Sequence, residues 1–182
     1  MSPHDLAGRL EELSAIDGPS KAAGAAVRNA LGSGSLKAAL RGDWLGHALH
    51  PLLTDTVIGT WTSGLLLDLT RERGADRLVA AGIVCALPTA LSGATDWADA
   101  EERDPGARRV GALHAVANVA ALGLQIRSLS ARRRGARGRG IMLSLAANGL
   151  LGASGYLGGH LSYAQSVGVG RRGPGAATHA MD

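Results

Sequence analysis

The chain has 182 residues and carries 19 Lys and Arg against 15 Asp and Glu, for a net charge of +4; 46% of it is hydrophobic but only 3% aromatic. With no Phe and 27 Gly, the apolar mass is Ala, Leu, Val and Gly, which suits helices packed backbone to backbone in a membrane rather than a core of large rings. A single cysteine, Cys85, excludes an intramolecular disulfide and a cysteine-based metal cage.

Residues 1–43 are polar. Leu6, Leu10, Leu13 and Ile16 recur at helical spacing, and after a break at "DGPS" (Asp17 to Ser20) an Ala-rich stretch runs to about Leu31. No basic start leads into an uninterrupted apolar core, so this is neither a signal peptide nor a span. It reads as a partly amphipathic helical segment lying on a surface, or as a tail with some helix.

Four apolar segments follow, at roughly Leu45 to Leu69, Leu78 to Thr95, Val110 to Leu129 and Ile141 to Val167. Each is close to the roughly 20 residues needed to cross a bilayer as a helix. Leu78 to Ser92 and Ile141 to Tyr156 contain no charged residue, and a helix apolar all round is buried in protein or lipid. Short charged loops separate them, ending with "RRRGARGR" (Arg132 to Arg139), a basic run without the aromatic platform or motif of a nucleic-acid surface. The expectation is an all-α integral membrane protein of the cell membrane: a four-helix up-down-up-down bundle over 44–169 with lipid as its surroundings and a disordered tail over 170–182. The first and third loops hold nine Arg, Arg71 to Arg139, against seven Lys or Arg on the other side, which favours both termini outside.

Antiparallel threading brings polar groups to one level. His47 and His50 begin the first span, Asp96 ends the second, His114 begins the third and His160 ends the fourth. His47 and His50 lie about 60° apart around a helix, with Asp55 one to two turns deeper. Imidazoles with a carboxylate suit iron, copper or zinc, and each ligating histidine needs an outer acceptor. The candidate metal ligands are therefore His47, His50, Asp96, His114 and His160, supported by Asp55, Asp99, Asn118, Tyr156 and Tyr163. A b-type haem held by two of His50, His114 and His160 is the alternative, and a scaffold with hydrogen-bonded helix ends is the third reading. Asp55 is expected to face the interior, because an intramembrane carboxylate is costly, and Asp68 to meet loop arginines such as Arg71.

Four ordered motifs carry a family resemblance: "WLGHALHPLLTDTVIGTWTSGLLLD" (Trp44 to Asp68), "SGATDWAD" (Ser92 to Asp99), "HAVAN" (His114 to Asn118) and "GGHLSYAQSVGV" (Gly158 to Val169). They resemble the four-span membrane family catalogued as domain of unknown function 2231, over about residues 36–169. Members resembling this chain are often fused, after the last motif, to a Rieske-type iron–sulfur domain. One Cys excludes such a centre here. The resemblance implies a redox setting, with a Rieske-type or similar electron carrier as partner and a metal or haem in the membrane half. No established activity comes with it.

Overall fold

The computed structural model describes residues 2–168; the expected tail over 170–182 lies outside them. No strand occurs among the described residues. Three short helices, α1 (Pro3–Glu11), α2 (Asp17–Leu31) and α3 (Ser35–Arg41), precede four long ones, α4 (Leu49–Leu69), α5 (Ala75–Ala100), α6 (Pro105–Arg133) and α7 (Arg137–Tyr163).

Local chemistry sets the helix boundaries. Ser2 and Asp5 form a reciprocal capping box on α1. Asp104 accepts from the Gly106 and Ala107 amides at 2.8 and 3.2 Å, with Pro105 in the first helical position of α6. The first long helix begins at Leu49, not Leu45. Gly42 and Gly46 take left-handed φ values of 80° and 77° around a single 3-10 turn, and a Cβ on Gly42 would collide with the His47 carbonyl.

By length and composition, α5, α6 and α7 can each cross a membrane. The first of the four expected spans falls short of that mark, since α4 carries His50, Asp55, Asp68 and several Thr. Much of this polarity is closed within the helix. Thr54 donates to the His50 carbonyl at 2.9 Å and Thr60 to that of Thr56 at 2.9 Å.

The four long helices make two hairpins, α4 on α5 and α6 on α7, joined through contacts of α5 with α6 and of α4 with α7. Val57, Trp61, Ala121 and Leu151 form a buried cluster between them. Trp61 donates its indole N–H to the Val79 carbonyl at 3.3 Å and lies against Gly82, where any Cβ would strike the ring. The polar N-terminal segment is helical and packed: α1 and α2 meet α6, and α2 and α3 meet α5.

At the far end from the histidines, the Asp68 carboxyl is fully covered. Arg132 grips it bidentately at 2.9 and 2.5 Å and Arg137 adds a third bond at 3.0 Å. Loop arginines are the expected partners, and these two come from the run between the third and fourth long helices, while Arg71 sits exposed in the turn after α4 with φ 60°. Asp68→Ala leaves the Arg132 guanidinium buried without its anion, and stability should fall by about 3–5 kcal/mol. Unfolding in detergent measures the loss, and the swap Asp68→Arg with Arg132→Asp should recover part of it.

Candidate functional site

The two hairpins are built on one plan. Leu49-His50 in α4 recurs as Leu113-His114 in α6, and Thr89 with Gly93 in α5 recurs as Ser154 with Gly158 in α7. The structure uses the repeated residues identically. His50 Nδ1 donates to the Thr89 carbonyl at 2.9 Å and its ring lies over Gly93; His114 Nδ1 donates to the Ser154 carbonyl at 2.9 Å and its ring lies over Gly158. A Cβ on Gly93 would come within 2.7 Å of the His50 ring, and one on Gly158 within 3.0 Å of His114. Only glycine lets each imidazole approach the neighbouring helix this closely.

Because a carbonyl only accepts, both rings carry their proton on Nδ1 and present Nε2 as the lone pair. Asn118 donates to His114 Nε2 at 2.9 Å, and the Ser154 hydroxyl lies 3.0 Å from Asn118 Oδ1, which orients that amide. His50 Nε2 lies 3.5 Å from the Thr54 hydroxyl, so the residue four beyond each histidine faces its Nε2. The two rings meet across the hairpins with centroids 6.4 Å apart and planes at 87°.

The other candidates lie at the same end but do not join this pair. His47, in the turn before α4, is exposed and its Nδ1 faces the Ala48 carbonyl at 3.1 Å. Asp96 is buried, its carboxylate 3.1 Å from where a Cβ on Gly168 would sit. His160 pairs with Glu11 of α1 at 2.5 Å. No three His, Cys, Asp or Glu side chains converge to hold a metal ion among the described residues; the five-residue set shares a level without sharing a centre.

The outer positions also divide. Asn118 touches His114. Asp55 is exposed, correcting the expectation that it faces inward: the buried stripe of α4 runs through Val57, Trp61, Gly64 and Asp68, and Asp55 is on the opposite side. Tyr156 and Tyr163 line a shallow outward hollow with His160 and are 43% and 91% exposed, away from His114. Asp99 binds Lys37 and Arg41 at 2.7 and 3.2 Å.

That last pair belongs to a clasp that closes the histidine end. Asp17, at the start of α2, takes Arg109 through two bonds of 2.6 and 2.8 Å and Arg108 at 3.2 Å. Arg28 binds Glu101, and Ser92 donates to the Leu40 carbonyl at 2.6 Å. Sequence reasoning passed over Thr89, Ser154, Gly93, Gly158 and the clasp residues. The repeated Leu-His and the hydroxyl-x-x-x-Gly spacing in α5 and α7 were the signals available for the first four.

Long apolar helices around a pair of clamped imidazoles define an all-helical membrane protein with a polar centre near one end. The chain belongs to the family described as predicted membrane protein (DUF2231), whose model matches residues 46–171. No curated protein and no solved structure matches it.

Arg109, helped by Arg108, holds the Asp17 carboxyl well below the ordinary carboxylate range. A depressed folded value means the clasp contribution is complete above about pH 4 and is lost as pH falls below it, where the released carboxyl takes up a proton that the docked one resists. Hydrogen exchange of α2 should therefore be slower in the wild type than in Asp17→Asn at neutral pH, and the difference should shrink steadily as the pH is lowered through 4 and below.

Proposed function

We propose that the protein is a four-span membrane redox module in which His50 and His114 would hold a b-type haem. The observation that carries this reading is the spacing of the two rings. Two imidazoles that would share one metal must come close to each other from different helices with their Nε2 lone pairs available. His50 and His114 stand at 6.4 Å.

The donor set favours haem over a bare ion. A protein-bound ion of this type takes about four ligands, whereas a haem would ask the protein for only two. The Nδ1–H bonds to Thr89 and Ser154 fix both tautomers and make each Nε2 a better donor. Asn118 and Thr54 face those nitrogens and would yield them on ligation. Bound haem supplies one-electron chemistry; Gly93 and Gly158 keep the rings seated against α5 and α7.

In this reading α4 crosses the bilayer beside α5, α6 and α7, completing an up-down-up-down bundle with the internally bonded Thr hydroxyls lowering its cost. The histidine end and both termini face outside, under the clasp of α1 to α3. A Rieske-type or similar one-electron carrier is the partner implied. The competing reading is a structural lock, favoured by the partners that the ring nitrogens already have within the protein.

Absorption spectra of the full chain, purified after expression with a haem precursor, separate these. A Soret band should appear in the wild type, persist in His47→Ala and His160→Ala, vanish in His50→Ala and His114→Ala, and weaken in Gly93→Val, whose side chain displaces the His50 ring. Folded wild-type protein without the band but with stoichiometric iron, copper or zinc would move the reading to the metal set of His47, His50, Asp96, His114 and His160. Neither haem nor metal, with only a lower unfolding temperature in the histidine variants, would leave the lock.

A further inference from the structure

The two ends of the helices pair their basic residues to different extents. At the histidine end, Arg28, Lys37, Arg41, Arg108 and Arg109 are each in a salt bridge with an acid of the chain, and the exposed cations outside any salt bridge among the described residues, Arg9, Lys21 and Arg103, are scattered over α1, α2 and the α5–α6 turn. At the other end, Arg71, Arg73 and Arg77 from the α4–α5 side and Arg133, Arg134 and Arg139 from the α6–α7 side are exposed, and none is in a salt bridge among the described residues. Asp68 is already taken by Arg132 and Arg137, leaving Glu72 and Asp76 as the exposed acids beside six guanidinium groups outside any salt bridge, of which Arg134 donates to the Ser130 hydroxyl at 2.7 Å.

Immediately inward from these arginines the surface turns apolar. Leu66, Leu69, Ile126, Met142 and Leu145 are 47–64% exposed, and Arg127 sits among them, long enough to reach back to the charged level. A rim of free cations above outward apolar side chains matches a negatively charged headgroup with its acyl chains, and matches neither free phosphate nor a polar macromolecule. We propose that this end is a binding surface for anionic phospholipid, with the headgroup phosphates on Arg133, Arg134 and Arg139 and on the arginines of the facing turn. The lipids supply the counter-charge that the chain withholds at this end.

Native mass spectrometry of the detergent-purified full chain, titrated with phosphatidylglycerol or phosphatidylcholine, tests it. Phosphatidylglycerol should bind about tenfold more tightly, since each exposed basic residue near an anionic surface adds to the attraction. Arg133→Gln with Arg134→Gln and Arg139→Gln should abolish the preference, while the corresponding Lys variant keeps it and shows that fold is not the cause. Removing three exposed cations at the other end, Arg9→Gln, Lys21→Gln and Arg103→Gln, should leave it intact. Equal binding of the two lipids, equal loss in both triple variants, or displacement of phosphatidylglycerol by inorganic phosphate alone would overturn the proposal.

Discussion

A polar group carried into the long helices is costly unless it finds a partner on the protein, because hydrocarbon offers none. That requirement organises how α4 to α7 meet. His50, Trp61, His114 and Ser128 each donate to a carbonyl of the neighbouring helix, at Thr89, Val79, Ser154 and Gly140. A carbonyl already bonded within its helix keeps a second lone pair, so these side chains can dock without unwinding the partner. The docking demands close approach, which is why three of the four acceptor sites, all of them on α5 and α7, present a glycine beneath the donor: Gly93, Gly82 and Gly158.

The repetition of this device explains the shape of the centre. Each hairpin supplies one histidine, one hydroxyl residue whose carbonyl receives it and one glycine to admit the ring, so the two imidazoles arrive at one level by construction. Elsewhere the hairpins differ at equivalent places. Trp61 in α4 is matched by Gln125 in α6, whose amide nitrogen is buried without a protein partner. Asp68 is matched by Arg132, and the two bind each other. Facing positions thus hold a matched histidine pair near one end and a complementary ion pair at the other.

Between these two fixed points the interior is small-residue packing around Val57, Trp61, Ala121 and Leu151, with little to distinguish one register from another. The polar contacts supply the register. Sliding one helix by a residue would strand His50 or His114 from its carbonyl and Asp68 from Arg132, each a costly loss in a medium of low polarity.

The sequence by itself determined that the chain is helical, that its long helices are apolar, that they reverse direction at short charged loops and that the histidines gather at one end. These follow from residue type and period, which act locally. The placement of Asn118 one turn after His114 was legible for the same reason. Only the tertiary structure decided which of the level polar groups meet. Helix rotation turned Asp55 and Tyr163 outward and His50 and His114 inward, and the docked N-terminal helices took His160 and Asp99 for Glu11, Lys37 and Arg41. Spacing along one helix fixes angles within that helix, whereas the facing of two helices depends on which of their residues allow close approach, and that is settled when glycines such as Gly93 and Gly158 come to lie under the rings.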